Sequence, residues 1–141
     1  MFKSPEEFDE MLELLEAWTD DPPNIKGVFV RLKDKLLAMK DVSLSFMSRP
    51  GVSYSLRANI SYTGRENRNL FALVDIVDDQ AEERWLSVCF YSDLITDPGD
   101  EGNLVPGGIL GEDGYCFDLF ECDWELISYI EQRVDEAFAN A

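Results

Sequence analysis

Apolar and polar residues alternate over eleven positions, from Val52 to Tyr62. Every second side chain in this segment is apolar, and the residues between them are polar or charged. Successive side chains of a strand point to opposite faces, so the alternation predicts a strand with one dry face and one wet face. Such a strand is typical of an antiparallel sheet that is covered on one side only. The rest of the chain must therefore supply neighbouring strands and helices for the dry face.

Three segments have the spacing of amphipathic helices. The first begins after Ser4, which is expected to cap it, and Glu7 is expected to complete a capping box. The second follows Asn24 and the third follows Asp123, and both residues are expected to act as caps. Each segment places its apolar residues on one stripe. The stripes are Phe8, Met11, Leu12, Leu15 and Trp18; Ile25, Val28, Phe29, Leu32, Leu36 and Met39; and Trp124, Ile127, Ile130, Val134 and Ala137.

Further strands are predicted before and after the alternating segment. Val42–Phe46 alternates in the same way, and Pro50 and Gly51 mark the turn between the two strands. Residues 70–77 and 84–91 also have strand character, but they are apolar on both faces. Their second face must be covered by the loop that follows, by a helix or by another subunit.

The stretch 96–114 is rich in glycine and proline and has no periodicity, so we expect an irregular connection. Long irregular connections are uncommon inside compact domains and are often functional. A short fifth strand is expected over 115–120. The prediction is therefore an α+β fold with two N-terminal helices, a four- to five-stranded antiparallel meander sheet and a C-terminal helix packed on one face. No linker divides the chain, so residues 1–141 are predicted to form a single α+β domain.

The chain contains no histidine, and its 29 acidic residues outnumber its 12 basic residues. The lack of imidazole excludes Ser-His-Asp and Cys-His catalysis in their usual forms, and also His-ligated metals. A net charge of −17 opposes binding to nucleic acids and to anionic membranes. No apolar run is long enough to span a membrane. We predict no catalytic residue, and the composition favours a protein that is not an enzyme.

The charges are unevenly distributed along the chain. Residues 26–70 carry a net charge of +6, between a first segment of −7 and a last segment of −16. We expect the basic segment to lie against the acidic ends, which relieves part of the self-repulsion. Arg49, Arg57 and Arg65 are candidates for contact with an anion or a partner. The alternative is that they form a solvated or ion-paired face.

Segment 97–113 concentrates the oxygen ligands that suit calcium or magnesium. The EF-hand pattern fails, because Gly99 and Gly108 occupy positions where that loop needs ligands. The alternative is a solvated loop whose acids stabilise turns. No other cofactor is predicted. The candidate metal ligands are Asp97, Asp100, Glu101 and Asn103.

The three cysteines are Cys89, Cys116 and Cys122, and this odd number without a CxxC pair does not predict a disulfide framework. Cys89 lies in an apolar run and is expected to be a small buried hydrophobic residue. Nearby carboxylates are expected to keep Cys116 and Cys122 unreactive. The N-terminus lacks the pattern of a signal peptide. Together these features predict a reducing, cytoplasmic location.

Two functions from different classes are compatible with these patterns. The first is a non-enzymatic protein-binding or regulatory module, in which the second sheet face and residues 96–114 contact a protein partner or a second copy in a homodimer. The second is a divalent-cation-binding protein that uses the acidic loop 97–113. A carboxylate-dependent hydrolase comes third, because close carboxylate pairs occur by chance among so many acids.

Two resemblances bear on these alternatives. The order of elements resembles the frataxin-like arrangement of helices flanking an antiparallel sheet, a likeness of architecture that does not fix function. The size and charge resemble those of acidic type III secretion chaperones, which would be a version of the protein-binding function. Those chaperones imply a central helix after three strands, and residues 96–114 are too rich in glycine and proline to form it.

Overall fold

The computed structural model describes residues 1–61, 69–79 and 83–141. These ranges form three helices and six antiparallel strands, which confirms the predicted α+β class. The strand count is six rather than four to five. The helices are α1 (Pro5–Ala17), α2 (Ile25–Ala38) and α3 (Trp124–Asn140), and the strands are β1 (Val42–Arg49), β2 (Ser53–Ile60), β3 (Leu70–Val77), β4 (Trp85–Tyr91), β5 (Asn103–Ile109) and β6 (Glu112–Leu119).

The six strands form one sheet in the order β1-β2-β3-β4-β6-β5. The first four strands form the predicted meander. The last two do not continue it, because β5 lies at the outer edge and β6 returns between β5 and β4. The strand expected over 115–120 is β6, and it begins earlier, at Glu112.

The helix starts depend on short polar side chains, but not in every case on the predicted ones. Ser4 and Asp123 cap α1 and α3 as expected. Asn24 does not cap α2, because it has a φ of 59° and makes no capping hydrogen bond. Instead, the carboxylate of Asp21 accepts the first two backbone N–H groups of α2, at 2.9 and 2.8 Å. A charged acceptor satisfies N–H groups that the helix itself leaves unpaired.

Residues at the N-terminus cover the outer edge of β1. The backbone N–H of Leu44 donates to the carbonyl of Met1 at 2.8 Å, and the N–H of Lys3 donates to the carbonyl of Leu44 at 2.9 Å. Glu7 does not complete the predicted capping box; its Oε1 accepts the N–H of Phe46 at 2.6 Å. An uncovered edge strand offers its backbone to other chains. This edge is therefore closed over the middle of β1.

Strands β5 and β6 form a hairpin within the stretch that was predicted to be irregular, 96–114. The prediction was wrong because β5 does not alternate and contains Pro106, Gly107 and Gly108, which disfavour strands. These residues form a bulge where the register with β6 shifts. The bulge is held by Asp113, whose Oδ1 accepts the N–H of Gly107 at 3.1 Å.

The tip of this hairpin is a two-residue turn formed by Leu110 and Gly111. Their φ angles are 49° and 85°. Two consecutive positive φ angles are characteristic of a type I′ turn, for which Asn-Gly is a preferred sequence. Glycine adopts this conformation freely, but leucine does so only at a cost.

The apolar core lies between the three helices and one face of the sheet. Phe29 of α2 and Ile130 of α3 are fully buried there, as are Leu56 and Ala58 of β2. The alternation that predicted a dry face on β2 is confirmed, since Arg57, between the last two residues, is only half-buried.

The hairpin tip covers part of the other sheet face. Ile109 is 3% exposed and lies with Leu70 and Leu73 of β3 along one pocket. Gly114 on β6 leaves room for Ile109, because a Cβ at Gly114 would be 2.9 Å from its Cγ1. The expectation that something must cover the second face is met in part by the segment that follows the strands.

Basic residues of α2 pair with acidic residues of α3. Arg31 contacts Glu131 at 2.9 Å and Lys35 contacts Asp135 at 2.9 Å. These contacts agree with the expectation that the basic middle segment lies against the acidic end. Exposed pairs contribute little to stability singly, but here they offset part of the excess negative charge of α3.

Candidate functional site

A pocket of about 200 Å³ lies on the sheet face opposite the helices. Strands β1, β2 and β3 form its floor, and the tip of the β5–β6 hairpin forms part of its rim. The strand register assembles it, because Met47 lies opposite Ser55 and Ser55 lies opposite Asp75. The charged and hydroxyl-bearing lining residues are Arg49, Ser53, Ser55, Arg57 and Asp75.

Two arginines meet in this pocket. The Nη2 atoms of Arg49 and Arg57 lie 3.4 and 3.9 Å from the sulfur of Met47. A thioether is a weak acceptor and carries no charge. Among the described carboxylates, none lies within ion-pair distance of either guanidinium, whereas Arg31, Arg84 and Arg133 each pair with an acid. The pocket is thus a local concentration of positive charge on a strongly negative molecule.

Asp75 is the acidic member of the pocket and lies half-buried beside the two arginines. Burial raises the pKa of Asp75 above its ordinary value, and the nearby hydroxyl of Ser55 and the positive charge of Arg57 offset part of that rise. Two buried polar atoms, Nε of Arg57 and Oδ1 of Asp75, have no hydrogen-bond partner within the described ranges. Both residues line the pocket, which therefore contains one buried donor and one buried acceptor without a partner among the described residues.

The sequence grouped Arg49, Arg57 and Arg65 as a candidate contact for an anion or a partner. The structure brings Arg49 and Arg57 together, which agrees with that grouping. Arg65 lies outside the described residues. The contribution of Asp75 was missed, because a single acid in an apolar strand gives no signal until the register is known. Leu110 was also missed, since the turn it occupies lies in the stretch expected to be irregular.

The carboxylate of Asp97 is fully engaged within the fold. Its oxygens accept hydrogen bonds from the hydroxyl groups of Tyr115 and Tyr129. They also accept the backbone N–H groups of Glu101 and Gly102, at 3.0 and 2.9 Å. Burial alone would raise the pKa of Asp97, but these hydrogen bonds outweigh it and hold the pKa well below its ordinary value. Asp97 thus organises its loop against β6 and α3.

The metal site predicted from the acidic loop finds no support in this arrangement. Both oxygens of Asp97 are occupied by donors, and Asp100, Glu101 and Asn103 are exposed. In the part of the chain that the structure describes, no three His, Cys, Asp or Glu side chains form a group that could hold a metal ion. Calcium or magnesium binding stays a prediction, which calorimetric titration would test.

Cys89 and Cys116 form a disulfide between β4 and β6. The two residues lie directly opposite each other in the strand register. Cys89 is buried as expected, but the cysteine pattern did not predict the bond that it forms. The count of three cysteines is odd because two are bonded and the third, Cys122, is free. The predicted reducing compartment was inferred partly from unpaired cysteines, and the disulfide removes that support.

Comparison with known proteins does not assign this pocket. No family model, curated protein or solved structure matches the chain. Within the described ranges, no helix is both long enough and apolar enough to cross a membrane.

Proposed function

We propose that this protein is a non-enzymatic binding module that holds a protein partner on the open sheet face. Leu110 carries the proposal. This residue is 72% exposed at the hairpin tip, and its φ is 49°. A leucine in this conformation costs about 1–2 kcal/mol, and its exposure gains nothing in the unbound protein. Strained residues cluster at functional sites, and exposed apolar groups often mark interaction surfaces.

The surroundings of Leu110 support a protein partner. Leu104 and Val105 of β5 are also exposed, so the hairpin presents several apolar side chains. The pocket with Arg49 and Arg57 lies directly beneath the tip. Arginine and apolar residues at the centre of a surface are typical of protein interfaces.

A catalytic role has less support in the same geometry. Asp75 is the one carboxylate among the described residues that line the pocket. Glycoside hydrolysis needs two carboxyl groups facing one substrate. Nor does the pocket contain an activated nucleophile of the usual kind, because the chain has no histidine. The side chains of the pocket therefore favour a binding function over a catalytic one.

A separate partner is favoured over a second copy of the chain. Each copy carries a net charge of −17, so two copies repel each other. Residues of the N-terminus also cover the middle of the outer edge of β1, which removes one route to edge-to-edge pairing. Analytical ultracentrifugation tests whether the partner is a separate protein, and we expect a monomer. A stable dimer that Leu110→Asn dissociates would show that the partner is a second copy of this chain.

Leu110→Asn tests the proposed function. Asparagine tolerates positive φ, so the hairpin turn is kept or stabilised while the apolar side chain is lost. We expect crosslinking capture from the native cell to recover a protein with the wild type but not with Leu110→Asn. The recovered protein, once purified, should bind the variant at least ten-fold more weakly in calorimetry.

The matched control is Leu12→Asn, which removes an exposed leucine from α1, on the helical layer. This variant should capture the same protein as the wild type. Equal recovery by all three proteins would contradict a role for the hairpin tip. Thermal unfolding of both variants checks that neither result reflects loss of the fold.

A further inference from the structure

We infer that the pocket beneath the hairpin tip binds the C-terminal carboxylate of the partner, so that the last residue of a polypeptide is the group recognised. This inference rests on the protein-binding function proposed above. It adds the chemistry of the group that enters the pocket and the residues that would hold it.

The pocket contains two like charges without an ion-pair partner among the described residues. Arg49 and Arg57 approach the same sulfur atom of Met47, and no described carboxylate pairs with them. Neighbouring like charges repel, so a bound anion relieves an unfavourable interaction. Guanidinium groups hold carboxylates through paired, charge-assisted hydrogen bonds. Because the molecule as a whole repels anions, a carboxylate would be attracted to few other places on its surface.

Two polar atoms of the pocket residues lack hydrogen-bond partners within the described ranges. Nε of Arg57 needs an acceptor and Oδ1 of Asp75 needs a donor. A carboxylate side chain or an ionised phosphate supplies acceptors only, so it would leave Asp75 unpaired and facing a like charge. The last residue of a peptide carries a carboxylate and, one carbon away, a backbone N–H. It therefore carries an acceptor for Arg57 and a donor for Asp75, and because both atoms are buried, pairing requires a local shift of the two side chains.

Leu70, Leu73 and Ile109 form an apolar side of the pocket, next to the charged and hydroxyl-bearing residues. The cavity volume of about 200 Å³ suits a single residue of moderate size. A terminal leucine or valine would place its side chain on this apolar side. The preceding residues would then leave the pocket past Leu110 at the rim.

A minimal probe of this site is N-acetyl-L-leucine, which carries the carboxylate, the N–H and the apolar side chain of a terminal residue. We expect it to shift the Nε–Hε signal of Arg57 saturably in ¹⁵N nuclear magnetic resonance spectra. N-acetyl-L-leucinamide keeps the N–H and the side chain but has a neutral amide in place of the carboxylate. We expect it to bind at least ten-fold more weakly. Acetate lacks the N–H and the side chain, and should also bind at least ten-fold more weakly.

The variant Arg49→Gln separates the pocket from the rest of the surface. Arg49 is exposed, so its replacement should leave the fold intact. We expect Arg49→Gln to weaken N-acetyl-L-leucine binding at least five-fold. Arg31→Gln removes an arginine from the exposed pair with Glu131 on the helical layer, and should leave binding of the probe unchanged.

Several results would overturn the inference. Equal binding of the amide would show that the carboxylate is not recognised. Equal binding of acetate would reduce the pocket to a general anion site, and no shift at millimolar N-acetyl-L-leucine would exclude a terminal carboxylate. If a captured partner depends on Leu110 but binds Arg49→Gln as tightly as the wild type, this inference is wrong while the proposed function stands.

Discussion

Asp97 shows how one side chain can organise a loop that carries little regular structure. Its carboxylate accepts hydrogen bonds from two tyrosines and two backbone N–H groups. We expect Asp97→Asn to lower the free energy of unfolding by about 2–3 kcal/mol at pH 7, because hydrogen bonds to a charged acceptor are the strong ones. Urea denaturation followed by tryptophan fluorescence measures this change in the free energy of unfolding. The control is Asp100→Asn, at an exposed position in the same loop, which should change stability by less than about 0.5 kcal/mol.

The same carboxylate predicts how stability depends on pH. The folded pKa of Asp97 is lowered, so its ionised form is favoured in the folded state. Its contribution is complete above the ordinary pKa of about 4 and is lost as the pH falls further. The stability difference between the wild type and Asp97→Asn should therefore narrow as the pH falls below about 4. A difference that stays constant down to pH 2.5 would show that the charge does not strengthen these bonds.

The roles of single residues were harder to predict than the elements that carry them. Asp97 was named as a metal ligand because an acid among glycines suits both metal binding and turn formation. The tyrosines that donate to its carboxylate lie 18 and 32 residues further along the chain. No local pattern contains that information. The proximity of Arg49 and Arg57 could be predicted because both lie on strands that a short turn makes neighbours, and their contact with an anion or a partner stays a prediction.

At the scale of the elements, the disulfide between β4 and β6 gives a direct test. After denaturation without a reductant, the protein should expose one reactive thiol, that of Cys122, to a thiol reagent. After reduction it should expose all three. Closing a loop of this length is worth about 3–4 kcal/mol, so reduction should also lower the melting temperature. Cys122→Ser should leave no reactive thiol in the unreduced protein, and three thiols in the unreduced wild type would contradict the bond.

Elements were predictable where the pattern was strong. Strand β3 was predicted with the bounds that it has, and the alternation in β2 identified its dry face correctly. Strand β5 was missed, because its bulge and its Pro106 interrupt any alternation. It is a strand because it pairs with β6, and this pairing cannot be predicted from the residues of β5 alone. The order of the last two strands was missed for the same reason.

The excess of acid sets the behaviour of the whole molecule. Some of the basic residues are used in ion pairs between α2 and α3, yet the net charge remains −17. Salt weakens the attractive pairs, but it also screens the repulsion among the many unpaired acids. The repulsion involves more charges than the exposed pairs do, and each such pair is worth at most about 1 kcal/mol. The loss of repulsion should therefore outweigh the loss of the attractive pairs, and we expect salt to stabilise the protein.

We expect the melting temperature to rise by several degrees between 0.02 and 0.5 M sodium chloride, which differential scanning calorimetry would measure. Two variants that remove one acid each separate the general repulsion from the specific ion pairs.

Glu13 is exposed and forms no ion pair with a described residue, so Glu13→Gln should stabilise the protein at low salt and lose that effect at high salt. Glu131→Gln also removes a negative charge but breaks the pair with Arg31, so at low salt it should stabilise less than Glu13→Gln or destabilise. A melting temperature that falls with salt in all three proteins would mean that specific ion pairs, rather than net repulsion, dominate the electrostatics of this fold.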